Sequence, residues 1–550
     1  MEHLRSAREE PVEPAQNAPG ICVDATTGTG PGNGETAHMA HLVRTRQLRL
    51  TALVLVALAA TACGSTVQVV GSGPAGSNGG QTLTVPGGAT PGTTGAVVGG
   101  ASTGVGAVGP AGTTGGSLGG ASTAGQSTTA GSGSASVQPG DGPGVTKTTI
   151  NIAGLYDPDA AAADSAIGAA GANPGDVKAE TEAVVKYINS HGGVAHRKLN
   201  PIWYKESVYD SASTTEQRSC NTWTQDNKVF VMNAGRPIWD QCTANAHAVA
   251  IDAGQLVEET TEQTRKFPAD INISSFTVDH SMSATINGLA RQGYFSKGAK
   301  VGIVTWDDAF YRYGISSQAN PALARLGLNN VPVEYVAVPQ SYGDLGSTSA
   351  SAGSAVLKFQ SEGIDHVIVF DGPAGVASGA ILWIEWSRQA DSQRYYPRHG
   401  LNSTSGFNAL ASDIPKKEME NSIGIGWFPS LEETASDWSN TPLSPNAKLC
   451  LQIMKDAGQQ QSGANAQAIQ FGICDTLFFL KQVFDPITGP LNQQTALAAI
   501  NATGTRYKPM LTFGINLTAD KHDGAYLVRN MAFQDSCSCY RYTSRPYNPS

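Results

Sequence analysis

The run AKVGIVTW at 299–306 is the first of three β-branched segments that decide the fold class of this chain. The other two are VPVEYVAV at 331–338 and IDHVIVFDG at 364–372, and helical patterns follow the three runs at 313–326, 352–362 and 374–388. Short β-branched runs that alternate with helices of about 10–15 residues are typical of βαβ units and a parallel sheet. We therefore predict an α/β architecture for this half of the chain.

The same alternation occurs earlier in the sequence. TINIAGLY at 149–156 predicts a buried strand, and a helix follows it with Asp176 as its N-cap and Gly192 and Gly193 at its end. Further strands are predicted at 199–206, 228–235 and 254–260, and a helix at 213–226. Two such series predict two doubly wound parallel-sheet lobes. Because open parallel sheets bind ligands beyond the carboxyl ends of their strands, the cleft between the lobes is the predicted site.

The segment LTALVLVALAATAC at 50–63 has the order of a secretory signal peptide: a basic lead-in, a short apolar run and small residues before Cys63. The apolar run is about half the length needed to span a bilayer. The approach to Cys63 resembles the lipobox of bacterial lipoproteins, which implies lipidation of this cysteine. An ordinary cleaved leader with an incidental cysteine is the alternative. Met39 opens a leader of usual length, so we interpret 39–62 as the signal peptide and 1–38 as a non-native, disordered upstream extension.

Residues 63–145 consist mainly of Gly, Ser, Thr, Ala and Val and carry almost no charge. Such a segment cannot bury enough apolar surface to offset the entropy of ordering, and we predict a disordered linker. As a flexible coil it would span roughly 50 Å, enough to hold a domain clear of a membrane. About 400 residues remain after it, which suits two lobes.

Charge and motifs exclude several classes of function. The formal net charge is −9 and the isoelectric point is near 5.6, without a basic cluster in the folded part, so we expect no nucleic-acid partner. The sequence of the folded part contains no HExxH motif, no GxSxG elbow and no Walker loop. The His and Cys residues show no zinc-ligand spacing. We therefore predict a protein that is not an enzyme and needs no cofactor or metal.

Six cysteines lie in the folded part, and an even number in an exported chain favours disulfides. A local pairing would join Cys220 to Cys242 and Cys450 to Cys474. Cys537 and Cys539 would then either pair with each other in a short loop or stay free.

Four segments carry a resemblance to a known family: 188–213 (INSHGGVAHRKLNPIWYKESVYDSAS), 299–314 (AKVGIVTWDDAFYRYG), 421–431 (NSIGIGWFPSL) and 471–484 (FGICDTLFFLKQVF). Their order and spacing resemble the leucine/isoleucine/valine-binding branch of the type 1 periplasmic binding proteins, which are solute receptors of ABC transporters. The resemblance covers about 147–542. It implies two lobes that close around a small ligand, joined by three crossover segments near Thr277, Asn402 and Tyr526.

This resemblance implies a division of the chain and a role for it. Lobe one would be 146–278 plus 402–525, and lobe two would be 279–401 plus 526–550. The protein would be an extracytoplasmic receptor, anchored to the outer face of the membrane by lipidated Cys63. It would capture a small polar ligand, such as an amino acid, amide or carboxylate, and deliver it to an ABC permease. A ligand-sensing or adaptor lipoprotein of the same fold, uncoupled from transport, is the alternative.

Candidate ligand-binding residues come from the loops that follow the predicted strands. They are Tyr156, Asp157, Asn233, Gly235, Arg236, Thr260, Thr261, Tyr311, Tyr313 and Asp371. Asp371 would pair with an ammonium group, and the Tyr rings would pack on an apolar or cationic group. The loop NAGRPIWDQC lacks the Ser or Thr hydroxyls that hold the α-carboxylate in the amino-acid-binding branch, so Arg236 is a substitute anion clamp. The alternative for Asp371 is a solvated loop acid, and the alternative for Tyr311 and Tyr313 is core packing. Asn233 and Gly235 would otherwise serve only the turn from strand to helix.

Overall fold

The computed structural model describes residues 140–166, 173–233, 236–254, 258–434 and 443–550. The predicted upstream extension, signal peptide, Cys63 and most of the linker lie outside the described residues. Within the described part of the chain, no helix combines the length and the apolar character that a membrane crossing requires.

The first sheet contains five parallel strands in the order β2-β1-β3-β4-β5. These strands are β1 (Thr149–Tyr156), β2 (Lys198–Lys205), β3 (Val231–Met232), β4 (Val249–Asp252) and β5 (Asp270–Asn272). At the centre of the sheet, Ile152 of β1 lies between Pro201 of β2 and Val231 of β3. The strand order reverses between β1 and β3, which is the switch point of a doubly wound sheet.

The second sheet contains seven strands in the order β14-β13-β12-β11-β8-β6-β7. They are β6 (Val301–Trp306), β7 (Val333–Val336), β8 (His366–Phe370), β11 (Arg398–Asn402), β12 (Ser422–Gly426), β13 (Arg529–Gln534) and β14 (Cys539–Tyr542). Five neighbouring strands of this sheet, β7, β6, β8, β11 and β12, are parallel, whereas β13 and β14 pair in antiparallel orientation. Its parallel part repeats the order of the first sheet, with the switch point between β6 and β8. A separate two-stranded hairpin joins β9 (Pro373–Ala374) to β10 (Ala377–Ser378).

Helices fill the connections between the strands. Before β6 they are α1 (Ala160–Ala166), α2 (Val177–Ser190), α3 (Ala212–Asn221), α4 (Pro237–Ala246), α5 (Thr261–Lys266) and α6 (Val278–Arg291). After β6 they are α7 (Ala309–Gly314), α8 (Asn320–Arg325), α9 (Leu345–Glu362), α10 (Ile381–Ser392) and α11 (Lys416–Glu420). After β12 they are α12 (Pro429–Glu432), α13 (Pro445–Asp456), α14 (Ala464–Phe484) and α15 (Gln493–Thr503). The predicted cap of α2 is confirmed, because the Asp176 side chain accepts from the Ala179 N–H.

Apolar side chains form a core against each sheet. In the first half of the fold, Val184 and Ile188 of α2 pack with Phe471 and Leu480 of α14 on one face of the sheet. Trp223 and Trp239 form a smaller cluster that includes Met232 of β3 and Ala250 of β4. The second sheet has a core of its own, which includes Phe359, Trp383 and Trp386. Sheets with packed helices are the α/β arrangement that the sequence predicts.

One predicted crossover differs from the structure. We expected the chain to leave lobe two near Asn402. In the structure the next strand, β12, still belongs to the second sheet: it pairs with β11, and its Ile425 lies opposite Asn402. The chain therefore remains with the second sheet up to Gly426, while the side chains of Ile425, Trp427 and Phe428 belong to the core of the first sheet. Strand β12 (Ser422–Gly426) was assigned to the wrong lobe because it is short and its apolar pattern carries no information about its pairing partner.

Two predicted elements are also wrong. The strand predicted at 254–260 is absent from the described residues there, and the fourth strand lies earlier, at Val249–Asp252. The helix predicted at 374–388 begins only at Ile381, because the β9–β10 hairpin precedes it. Gly375 and Gly379 have positive φ angles of 60° and 118°, which a helix cannot contain.

Disulfides join Cys220 to Cys242 and Cys450 to Cys474, which confirms both predicted local pairs. Cys537 and Cys539, for which we left two alternatives, also form a disulfide. Cys242, Cys450 and Cys474 are buried, so these bonds are part of the hydrophobic interior.

Candidate functional site

A cavity of about 400 Å³ opens at the carboxyl ends of β1, β3 and β4. Its location coincides with the switch point of the first sheet, where open α/β sheets place their ligands. Residues Leu477 and Leu480 of α14 form one wall, and Pro373 and Phe428 also contribute to the lining. The volume lies within the range of about 300–1,000 Å³ that is usual for small-molecule sites.

Two tryptophans give the cavity much of its apolar surface. The ring of Trp203, from β2, packs over Gly154 of β1. There is room for the ring only because Gly154 has no side chain, since a Cβ atom there would clash with it. Trp239 of α4 also lines the cavity, and its indole N–H donates to the Ser219 hydroxyl at 2.9 Å. That hydrogen bond fixes the plane of the ring, so the cavity presents a preformed aromatic surface.

A few polar side chains accompany this apolar lining. Asn233, Arg236 and Asp252 face the cavity together with Thr181 and Thr476. The Thr476 hydroxyl accepts from the Ala253 N–H at 2.9 Å and so connects α14 to the end of β4. Burial raises the pKa of Asp252 to about 6, against hydrogen bonds from the Ala253 and Gly254 N–H groups that oppose the shift.

Arg236 lies among several carboxyl groups. Its guanidinium is 3.7 Å from Glu216 and lies over the Trp239 ring at 5.1 Å from the ring centroid. Burial raises the pKa of Glu206 to about 7 and that of Glu258 to about 8, and the charge of Arg236 opposes both shifts. The Glu216 carboxyl group competes with a ligand for the Arg236 guanidinium, which weakens the predicted role of Arg236 as an anion clamp.

The structure brings some of the lobe-one candidates together at this cavity. Asn233 and Arg236 line it, and Tyr156 packs edge-on against Trp203 with the ring centroids 5.9 Å apart. Asp157 instead accepts from the Asp159 N–H at 2.7 Å, and the pKa of this half-buried carboxyl is raised mainly by burial. Gly235 lies outside the described residues.

Thr260 and Thr261 do not line the cavity. The Thr260 hydroxyl caps α5 by accepting from the Gln263 N–H at 3.2 Å. The Thr261 N–H donates to the Asp279 carboxylate at 2.9 Å, and its hydroxyl lies 3.3 Å from that of Thr277. Thr260 and Thr261 became candidates because the fourth strand was predicted at 254–260. The residues that follow the true strand are Ala253 and Gly254.

The lobe-two candidates lie apart from the large cavity. Tyr311 is fully buried and donates to the Pro373 carbonyl at 3.1 Å, and burial raises the pKa of its hydroxyl well above the usual value. Tyr313 is half-buried, and its pKa is raised by burial and by the nearby charges of Glu262 and Asp279. Tyr311 lines a small void of about 10 Å³ at the end of β8, which has no room for a solute.

Backbone N–H groups hold the Asp371 carboxylate in place. Its carboxylate accepts from the Gly372 N–H at 2.7 Å and from the Trp383 N–H at 2.8 Å, at the start of α10. Burial raises its pKa to about 7. With both oxygens held by the backbone, Asp371 is not placed to pair with an ammonium group in the large cavity.

Comparison with known proteins connects this geometry to a group of solved structures. No protein-family model matches the sequence, and no curated protein matches it at a significant level. The fold is similar to that of a solute-binding protein of an ABC transporter from Rhodopseudomonas palustris HaA2 in complex with p-hydroxybenzoic acid. The TM-score is 0.52 and the identity 14%, over 73% of this chain and 98% of that one.

Two further structures match in the same way. A branched-chain amino acid ABC transporter protein from Thermus thermophilus with bound valine gives a TM-score of 0.51 at 18% identity, over 73% of this chain and 96% of that one. A substrate-binding protein of an ABC transporter from Aeropyrum pernix gives 0.51 at 14% identity, over 74% and 97%.

The chain has the type 1 periplasmic-binding-protein fold. Hydrogen bonds connect the two halves of the fold. The Tyr342 hydroxyl donates to the Asp164 carboxylate at 2.8 Å, and Glu258 accepts from the Gly375 N–H. Pro373, which follows β8, reaches the lining of the large cavity.

Sequence reasoning missed the two residues that shape the cavity most. Trp203 lies within a strand pattern, where a tryptophan is usually a core residue, and neither Trp203 nor Trp239 was among the candidate ligand-binding residues. Pro237 could have drawn attention to Trp239. A proline there marks the first turn of a helix that begins soon after a strand end, and Trp239 lies in that turn. Asp252 was missed because its strand was not recognised.

Proposed function

We propose that this protein is a solute-binding protein that captures a small molecule in the cavity at the switch point of the first sheet. The observation that carries this proposal is the cavity itself, preformed and lined by Trp203, Trp239, Asn233, Arg236 and Asp252. The similar solved structures are solute-binding proteins of ABC transporters, which supports binding rather than catalysis. We therefore propose a role in delivering the captured solute to an ABC permease.

The lining favours a ligand with an apolar body and one polar end. The tryptophan faces and the Leu477 and Leu480 side chains suit an aromatic or branched aliphatic group. Asn233 can donate to a carboxylate, or both donate to and accept from an amide, while Asp252 can accept from an amine or hydroxyl. Since Thr260 and Thr261 are engaged elsewhere, an amino acid would have to be held differently from the pattern that the resemblance implies.

We also propose that the protein works outside the cytoplasm, attached to the membrane by lipid on Cys63. The signal-peptide pattern at 39–62 supports export, and the cysteine after it supports lipidation. Substitution Cys63→Ala should move the protein from the membrane fraction of its host to the soluble fraction. An unchanged distribution would contradict the lipid anchor without affecting the proposal of solute binding.

The binding proposal is tested by a cavity-blocking variant with a matched control. Gly472 of α14 lines the cavity, and a Cβ atom there would have Ala253 O at 3.5 Å and Leu511 Cδ1 at 3.6 Å, which is ordinary contact. Gly472→Ala should therefore fold and bind like the wild type, whereas Gly472→Phe should fill the cavity.

The readout is the change of melting temperature of the Cys63→Ala chain with a panel of aromatic acids, aromatic amides, branched aliphatic acids and amino acids. Native mass spectrometry of freshly purified protein would detect a solute that co-purifies. We expect at least one class to raise the melting temperature of the wild type and the Gly472→Ala variant, but not of Gly472→Phe. Equal shifts in all three proteins would place the binding outside this cavity and contradict the proposal.

A further inference from the structure

Three buried carboxyl groups meet beside the first sheet, away from the large cavity. They belong to Asp240 in the first turn of α4, Glu259 in the segment before α5, and Asp270 at the start of β5. Their carboxylate oxygens lie within 4.8 Å of one another. The three residues are only 1%, 1% and 2% exposed, so water cannot screen their mutual repulsion.

The described residues provide little positive charge to compensate this cluster. Among them, no Lys, Arg or His forms an ion pair with Asp240 or Asp270. One hydrogen bond reaches the cluster from a side-chain amide: Gln263 donates through Nε2 to Asp240 Oδ2 at 2.8 Å. Burial and the two neighbouring carboxyls raise the pKa of Asp270 well above its usual value.

Asp270 supplies a second observation that points to a ligand. Both of its carboxylate oxygens are buried and accept no hydrogen bond from an amide or hydroxyl group of the described chain, and neither does Oδ1 of Asp240; only the carboxyl groups of Asp240 and Glu259 come within hydrogen-bond reach of Asp270. Buried polar atoms in folded proteins nearly always have a partner, so two orphan oxygens on one carboxylate imply a group that satisfies them. A cation satisfies several such oxygens at once and also neutralises their charge.

We propose that Asp240, Glu259 and Asp270 bind one divalent cation, with Ca²⁺ as the best fit. Carboxylate oxygens are hard ligands, which hard cations prefer. Ca²⁺ binds oxygen at about 2.3–2.6 Å, so ligands on opposite sides of the ion lie about 4.8 Å apart, the upper limit of the spacing here. Mg²⁺ binds at about 2.1 Å and loses its water shell reluctantly, which makes it a poorer fit to a buried site of three side chains.

The position of the cluster indicates a structural role for the ion. The backbone carbonyl of Glu259 accepts from the Val278 N–H at 2.8 Å, and Val278 is the first residue of α6, through which the chain enters the second half of the fold. The cation would therefore hold α4, β5 and the crossover segment together. This inference is independent of the solute proposed above.

The test uses the Cys63→Ala chain, treated with EDTA and then dialysed free of chelator. Calorimetric titration with CaCl₂ should show one site, and millimolar Ca²⁺ should raise the melting temperature more than the same concentration of MgCl₂. Asp270→Asn should weaken Ca²⁺ binding by at least about tenfold, which corresponds to about 1.4 kcal/mol. The control Asp226→Asn, at an exposed carboxylate, should bind like the wild type.

Two results would overturn the inference: no Ca²⁺ binding by the wild type at millimolar concentration, or equal binding by wild type and Asp270→Asn. In the first case protons rather than a cation neutralise the cluster. If Asp270→Asn does not fold, Asp240→Asn replaces it in the comparison, and the loss and recovery of the wild-type melting temperature with EDTA and Ca²⁺ remains decisive.

Discussion

Glu258 provides a quantitative test of the electrostatics near the cavity. Its side chain is 9% exposed, and burial raises its pKa from the usual 4.5 to about 8, with further upward contributions from Asp308 and Glu216. Arg236 opposes the shift but does not cancel it. At pH 7 the folded protein therefore holds Glu258 mainly in the protonated form, which a glutamine resembles in shape and charge. We predict that Glu258→Gln is well tolerated at neutral pH.

The sign of the pH effect follows from proton linkage. Between pH 4.5 and about pH 8, the folded chain keeps a proton on Glu258 that the unfolded chain has released. The stabilising contribution is fully present below pH 4.5 and is lost as the pH rises towards 8. The free energy of unfolding of the wild type should fall by up to about 1.4 kcal/mol per pH unit from this group, about 5 kcal/mol at most over the interval.

Guanidinium unfolding followed by tryptophan fluorescence, at several values from about pH 5 to about pH 8, measures this effect. We expect the free energy of unfolding of Glu258→Gln, relative to that of the wild type, to increase by about 2–4 kcal/mol across that range. The control Glu182→Gln alters an exposed carboxylate and should give a curve parallel to the wild type. A Glu258→Gln curve that also runs parallel to the wild type would refute the reasoning.

Three further predictions concern stability. Replacing both Cys450 and Cys474 by alanine should cost about 3 kcal/mol in chemical denaturation, because the bond closes a loop with a sequence separation of 24; a loss under about 1 kcal/mol would contradict this entropic account. Asp371→Ala should lower the free energy of unfolding by about 2–4 kcal/mol, because it leaves two buried N–H groups without an acceptor, whereas solute affinity should stay the same; a variant of unchanged stability but weaker binding would show that Asp371 contacts the solute. Gly472→Ala should raise the midpoint of thermal unfolding by stabilising α14 by about 0.5–1 kcal/mol, and a lowered midpoint would mean that the helix has no space for the methyl group there.

Local patterns predicted the regular elements well where the signal lies within a few neighbouring residues. β1 spans Thr149–Tyr156 as predicted, and α2 begins after its Asp176 cap, since a strand of β-branched residues and a capped helix are encoded by short-range chemistry. The alternation of such elements also predicted two doubly wound sheets. β4 was missed because its sequence, VAID, contains only four residues and is followed by a longer run with a similar apolar content.

The candidate site depended on information that local patterns do not contain. Asn233 and Arg236 were predicted because they follow a recognisable strand, and they line the cavity. Thr260 and Asp371 also follow apolar runs, yet one caps α5 and the other holds the start of α10, since each carboxylate or hydroxyl binds whichever N–H groups the fold brings nearest.

The sequence by itself determined the α/β class, the order of most strands and helices and the two local disulfides, because these depend on hydrophobic period, capping residues and short separations along the chain. Only the tertiary structure decided which sheet receives β12, which tryptophans enclose the cavity, and that Asp240, Glu259 and Asp270 meet. Those features depend on contacts between distant segments, and burial then sets the charge state of the groups that are brought together.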